Sequence, residues 1–157
     1  MLTSALIYGD DNEIYIDQSG DTANIDLEQL GGGNIIGGLN SQAGNLTALD
    51  LDGSTLTLDI NQIGDNNLFY GDILGDSITG YFNFDGSSNE FTIQVDPTNT
   101  YGADSSDFNV QATGDSNDFT LNVGTSSMAS NTDLDWVING SSNTLDFDIN
   151  YSYQNLS

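Results

Sequence analysis

The sequence predicts an all-β fold, and within that class a two-faced β-solenoid. Three observations predict it: Gly recurs at a constant interval, apolar and polar residues alternate after each of these markers, and no segment has the period of a helix. Counted from Gly9 in an 11-residue register, seven of eight marker positions are Gly: Gly9, Gly20, Gly31, Gln42, Gly53, Gly64, Gly75 and Gly86. This regularity indicates an internal repeat.

The best-preserved unit runs from residue 24 to residue 34. Its Ile25, Leu27 and Gln29 alternate with acidic residues, which is typical of a strand with one buried face. The Gly and Asn residues of 31–34 then tolerate the positive φ angles of a tight turn. Each unit is therefore predicted to be a short strand followed by a turn.

A short strand cannot bury its apolar face alone, so two successive units are expected to face each other in one coil, which gives a 22-residue period. Coils stacked at the usual strand spacing of ~4.8 Å would form about six coils and a rod roughly 30 Å long. Residues 1–157 form one repeat domain, with a regular 11-residue repeat over 9–96 and looser repeats with loop insertions over 97–157. The markers Gly114 and Gly140 indicate coils with insertions of 6 and 4. A β-sandwich of short strands is the alternative, although it does not require constant spacing.

The 22-residue period predicts columns, meaning residues that occupy equivalent positions in successive coils. One inward column should contain Gln18, Asn40 and Gln62 as an amide ladder. Gln29 should begin the facing column, which continues through apolar residues. The same period places Ile25, Leu27 and Gln29 beside three residues of the next coil, namely Thr47, Leu49 and Leu51.

An outward acidic column is the main candidate site. The period aligns Glu28, Asp50 and Asp72 at strand spacing, where like charges repel. A bound Ca²⁺ would relieve that repulsion, since hard cations prefer carboxylate oxygens. Calcium is the one cofactor that the sequence suggests, and a hydrated acidic face is the alternative.

Residues 23–40 resemble a curlin repeat, whose pattern is Ser-x5-Gln-x-Gly-x-Gly-Asn-x5-Gln. Gln29, Gly31, Gly33 and Asn34 match it, whereas Ala23 and Asn40 replace the family's Ser and second Gln. The good resemblance covers about the first half of the chain. In its low-complexity composition the sequence is also similar to curlin-repeat virion structural proteins of marine tailed phages. The resemblance implies a structural subunit that forms homo-oligomers or docks on neighbouring subunits.

The setting implied by this resemblance is a virion, in which the chain would be a fibre, decoration or appendage subunit. A secreted, extracellular amyloid filament subunit of the curlin kind is the alternative. Residues 1–7 lack the basic residues and long apolar run of a signal peptide, which favours the virion. A calcium-dependent adhesion or glycan-binding module is a third hypothesis.

Charge excludes several functions. The chain has 24 acidic residues, no Lys, Arg or His, and a formal net charge of −24. It cannot neutralise phosphates, and an anionic membrane would repel it, so we expect neither nucleic acid nor membrane as a partner. The sequence contains no His, Cys or Lys, which are the usual catalytic bases and nucleophiles. Its Asp residues recur at turn positions, where local hydrogen bonding explains them. We therefore expect no enzymatic activity.

Overall fold

The computed structural model describes residues 5–9, 12–37, 49–97, 103–124, 129–149 and 154–156. These residues form β-strands joined by turns, and none of them is helical. The strands are β1 (Ala5–Gly9), β2 (Asn12–Tyr15), β3 (Asp17–Ser19), β4 (Thr22–Gly31), β5 (Asn34–Gly37), β6 (Leu49–Asp52), β7 (Thr55–Ile63), β8 (Asn66–Leu74), β9 (Ser77–Asp85), β10 (Ser88–Val95), β11 (Ser105–Thr113), β12 (Ser116–Val123), β13 (Thr132–Asn139), β14 (Asn143–Ile149) and β15 (Gln154–Leu156).

The strands form two parallel sheets between which the chain alternates. Sheet A has the order β1-β4-β7-β9-β11-β13-β15. Sheet B has the order β14-β12-β10-β8-β5-β2, and β3 and β6 extend the rungs of β2 and β5. The chain thus winds through about five turns of a two-faced β-solenoid, which confirms the predicted fold class.

Coil length varies more than the sequence predicts. Along one corner, equivalent residues are separated by 22, 33, 22, 28 and 26 positions. The last two values confirm the insertions inferred from Gly114 and Gly140. The value of 33 was not predicted, because β5 and β6, which are separated by residues 38–48, both pair with β8 and so belong to one rung.

This longer coil makes the predicted neighbours of the best-preserved unit wrong. Thr47 lies outside the described residues. Ile25, Leu27 and Gln29 share an inward face, as expected, but they do not lie beside Leu49 and Leu51, which belong to sheet B. Their register partners belong to β7 and are Leu58, Ile60 and Gln62. Residues 38–48 include Gln42, the one marker that is not Gly, and lie outside the described part of the chain.

The core between the sheets is aliphatic near β4 and aromatic further along. Phe69 stacks on Phe91 with ring centroids 5.7 Å apart, and Trp136 meets Phe119 edge to face at 5.4 Å. Phe69, Phe91 and Phe119 are fully buried, so each removes a large apolar area from water. This packing holds the two sheets together over the later coils.

Two corners connect the sheets. The asparagine corner, which leads from sheet A to sheet B, contains Gly9, Gly31, Gly64, Gly86, Gly114 and Gly140. The loop corner, which leads from sheet B back to sheet A, contains Gly20, Gly53 and Gly75, then the longer connections 96–104 and 124–131. A Cβ on Gly64 would overlap the carbonyl group of Gly31, and a Cβ on Gly86 that of Gly64. Close stacking of one coil on the next therefore requires Gly at the asparagine corner.

Candidate functional site

A buried asparagine ladder runs the length of sheet B beside the asparagine corner. Each Nδ2 group donates to the Oδ1 atom of the next Asn, at distances of 3.0, 2.9, 2.8, 2.7 and 2.7 Å. The ladder consists of Asn12, Asn34, Asn67, Asn89, Asn117 and Asn143. All except Asn143 are buried, so the ladder is part of the core.

The ladder also closes the turns of its corner. Asn89 donates to the carbonyl oxygens of Gly86, at 3.3 Å, and of Thr113 in the next coil, at 3.1 Å. Asn34 and Asn117 make the corresponding bond to the Gly that opens their own turn. One side chain thus reaches backbone acceptors of two coils as well as the next Asn, with the two N–H donors of its amide shared among three acceptors.

The ladder has a direction. Within it, the Asn12 amide donates to Asn34, and the Asn143 amide accepts from Asn117. A continuation of the ladder in the same sense would have Asn143 donate to the Asn12 oxygen of a following unit. The two ends of the ladder are therefore complementary.

The structure corrects the predicted amide ladder of Gln18, Asn40, Gln62 and Gln29. Gln29 and Gln62 do stack, with a bond of 2.7 Å from Nε2 of Gln62 to Oε1 of Gln29, but both belong to one column of sheet A. Gln18 pairs with Leu51 in sheet B, and Asn40 lies outside the described residues. The cause is the 33-residue coil, which shifts later units to the opposite sheet. Beyond Gln62 the column becomes Phe84, so it ends as an amide pair.

The same shift separates the predicted acidic residues. Glu28 lies in sheet A beside Asn61, whose Nδ2 donates to its carboxylate at 3.3 Å. Asp50 and Asp72 are register partners in sheet B, and the third member of their column is Asp17. The predicted column of Glu28, Asp50 and Asp72 is therefore wrong in its first member.

The acidic column, defined as Asp17, Asp50 and Asp72, is electrostatically unfavourable when ionised. Burial raises the pKa of Asp50, and the neighbouring carboxylates of Asp17 and Asp52 add to the effect. Burial and the charge of Asp50 likewise raise the pKa of Asp72. Within the described part of the chain, no three acidic residues converge to form a group that could hold a metal ion.

The β15 end of the solenoid exposes part of the core. Strand β14 is the last strand of sheet B and pairs on one side only, with β12, within the described ranges. Its inward residue Leu145 continues the column of Phe119 yet remains 49% exposed. Strand β15 pairs with only the beginning of β13, at residues 132–134. This end therefore combines unpaired backbone with accessible apolar surface.

The β1 end is open in a complementary place. Strand β1 pairs with residues 27–31 of β4 and leaves residues 22–26 without a partner on that side in the described structure. A cavity of about 330 Å³ lies there, and its lining includes Ile14, Ile16, Ala23 and Ile25. This end therefore offers an apolar cavity beside the first strands of both sheets.

Known proteins offer no template for this site. No protein-family model, no curated protein and no solved structure matches the chain. The described residues contain no helix long and apolar enough to cross a membrane.

Proposed function

We propose that this chain is a non-enzymatic structural subunit that self-associates or docks on neighbouring subunits through the ends of its solenoid. The setting we propose is a virion, with the chain in a fibre, a decoration or an appendage. The observation that supports the proposal is the β15 end, where β14 pairs on one side only among the described residues and Leu145 is half-exposed. An open parallel edge with an apolar inner face is a template for a further strand.

The interior supports a mechanical role. Inside the solenoid, the asparagine ladder and the Gln29–Gln62 pair form hydrogen bonds from coil to coil. Each coil contacts only its neighbours, so a rod of this kind gains stability with every coil added. Docking of another subunit would extend the same contacts.

Sedimentation velocity and negative-stain microscopy of the purified chain in about 1 M NaCl test this function, since that salt shortens the Debye length to about 3 Å. We expect rods longer than one chain. A substitution Leu145→Asp should abolish them by placing a charge on the exposed end. The matched control is Tyr81→Asp, because Tyr81 is equally exposed, at 49%, but lies within β9 and away from both ends. A chain that stays monomeric at all salt and protein concentrations would contradict the proposal.

A secreted, extracellular filament of the curlin kind remains the second proposal, because the in-register amide and strand ladders are also features of cross-β structures. Fibre growth and amyloid-dye binding by the isolated chain would favour it. Recovery of a soluble chain only from purified particles would favour the virion.

Calcium-dependent adhesion or glycan binding stays a prediction that rests on the acidic column. Thermal unfolding with and without EDTA tests it. A bound ion should raise the midpoint, and the variant Asp50→Asn should remove that difference. An identical midpoint under both conditions would end the calcium hypothesis.

A further inference from the structure

We infer that the two ends of the solenoid fit each other, so that a second copy of this chain docks head to tail and both sheets continue across the junction. The inference rests on the proposed function and specifies its partner and contact. It depends on strand registers at both ends, on the direction of the asparagine ladder and on the cavity at the β1 end.

In sheet A, strand β1 fits the part of the β13 edge that β15 does not cover. Strand β15 occupies the edge of β13 beside residues 132–134 and leaves the remainder of that edge unpaired in the described structure. Following the registers through β4, β7, β9, β11 and β13 places Ala5 in the column of Trp136. Strand β1 of a second copy therefore matches the part of β13 that β15 leaves open.

The reciprocal fit lies at the β1 end and is apolar. A cavity of about 330 Å³ lies there, and Ile14 is part of its lining. The registers of sheet B place Ile14 in the column of Leu145, which is 49% exposed at the β15 end. Docking would therefore bring Leu145 of the first copy against the cavity of the second.

Sheet B continues with the same shift. The offset from Gly9 to Gly140 equals the offset from Asn12 to Asn143, since 140 − 9 = 143 − 12. Docking with this shift sets β2 against the open edge of β14, with Ile14 next to Leu145. Asn143 then meets Asn12 in the donor-to-acceptor sense of the ladder. Both sheets, the glycine column and the ladder thus share one register across the junction.

Charge opposes this junction. The shift places Asp148 of one copy beside Asp17 of the next, which extends the acidic column across the contact, with Asn122 as the neighbour of Asp148 within its own copy. The other outward pairs are Asp146 with Tyr15 and Thr144 with Glu13. Since no Lys, Arg or His offsets these carboxylates, we expect docking to require screening by salt.

Cysteine cross-linking tests the register, because the sequence contains no Cys. Glu13 and Thr144 are exposed and would be register partners across the junction. Adjacent strands lie about 4.8 Å apart, within the Cα separation that a disulfide spans. The variant Glu13→Cys/Thr144→Cys, oxidised in about 1 M NaCl, should give a series of covalent oligomers that a reductant returns to monomer.

Two further pairs serve as controls. Asp118 and Thr144 are register partners within one copy. The variant Asp118→Cys/Thr144→Cys should therefore form an intramolecular disulfide and remain monomeric. Glu13→Cys/Asp107→Cys places the second thiol in the middle of sheet A and should give no oligomer series. At low salt, adding Asp148→Asn to the cross-linking pair should raise the oligomer yield several-fold.

The outcomes separate the inference from the function. Rods seen by sedimentation without a 13–144 cross-link would overturn the head-to-tail register and leave the structural role standing. Dimers formed by the single variant Thr144→Cys, in place of longer oligomers from the pair, would show that two β15 ends meet and would also overturn it. Absence of both rods and cross-links would contradict the proposed function itself.

Discussion

The asparagine corner and the loop corner both connect the two sheets, but the length of the connection varies at only one of them. At the asparagine corner only two or three residues separate the strands, from β1–β2 through to β13–β14. At the loop corner the first three connections are equally short, whereas residues 96–104 and 124–131 form longer ones. Both predicted insertions thus fall at one corner.

The difference follows from what each corner bonds to. At the asparagine corner a buried amide ties each turn to the turns before and after it. The residue at the equivalent position of the loop corner makes no such bond: Leu56 and Ile78 are apolar, and the buried hydroxyl groups of Ser106 and Thr132 have no hydrogen-bond partner in the described structure. A hydrogen-bonded ladder fixes the length of a turn, while apolar packing constrains only the strands on either side.

The largest contrast should come from lengthening each corner by one residue. One Ser inserted after Gly86 would displace Asn89 from Asn67 and Asn117, and we expect a loss of more than about 4 kcal/mol in the free energy of unfolding. The same insertion after Gly124, in the longer connection, should cost less than about 0.5 kcal/mol. Urea unfolding measures both, and equal losses would remove the distinction between the corners.

Removing one ladder amide should have the next largest effect. Asn89→Ala leaves the carbonyl groups of Gly86 and Thr113 and the amide of Asn67 short of partners in the core, which should cost about 3 kcal/mol. Asn83→Ala is the matched control, because Asn83 also bonds an amide neighbour, Asn61, but is exposed. Its cost should stay below about 0.5 kcal/mol. Similar values for the two variants would mean that the buried ladder adds nothing beyond a surface amide pair.

The sequence predicts the solenoid but leaves its columns ambiguous, and the asparagine corner explains why. At the third position after successive markers, Asn alternates with an apolar residue. The series is Asn12, Ala23 and Asn34 before the marker Gln42, and Leu56, Asn67, Ile78 and Asn89 after it. The marker Gln42 breaks this alternation, because Asn45 follows Asn34 directly. An insertion of a whole unit keeps the glycine markers in phase, so the marker interval alone cannot reveal it.

That one phase change accounts for the misplaced site residues. Gln18 and Gln62, like Glu28 and Asp50, are aligned by a strict 22-residue period but fall on opposite sheets because of the 33-residue coil. Coils beyond Gly64 were predicted correctly, because their insertions of 6 and 4 are not multiples of the unit and are visible as breaks in the markers. The open ends could not be predicted, since they depend on which half of a rung β1 and β15 cover.

Glycine substitutions should separate the corners by a smaller amount. Gly86→Ala places a methyl group against the carbonyl of Gly64 and 2.7 Å from Nδ2 of Asn67, so backbone and ladder must both move, at a cost of about 2 kcal/mol. Gly75→Ala meets the carbonyl oxygen of Gly53 at 2.8 Å and Ile78 at 3.1 Å, so a smaller backbone shift suffices and the cost should be about 1 kcal/mol. Thermal unfolding of both variants gives the comparison. A larger loss for Gly75→Ala would reverse the ranking of the two corners.

The smallest effect concerns pH, and it again distinguishes the corners. The carboxyl groups with a raised pKa, Asp50, Asp72 and Asp107, all lie on strand segments next to the loop corner. Burial is the main cause for each, and the charges of nearby Asp residues add to it. Their folded pKa lies above the unfolded value of 3.8, so their contribution to stability is fully present below that value and is lost as the pH rises through the folded pKa.

The free energy of unfolding should therefore increase as the pH falls from neutrality toward about 4. At neutral pH Asp72→Asn should stabilise the chain by about 0.5 kcal/mol, the middle of the range for like-charged neighbours on a sheet after screening by solvent, and should flatten the pH dependence. Asp65→Asn removes the same charge in a turn of the asparagine corner and should do neither. Unfolding in urea at several pH values, at protein concentrations low enough to keep the chain monomeric, measures both variants. An equal gain from Asp65→Asn would assign the effect to the net charge of −24, and the acidic column would then have no special part in it.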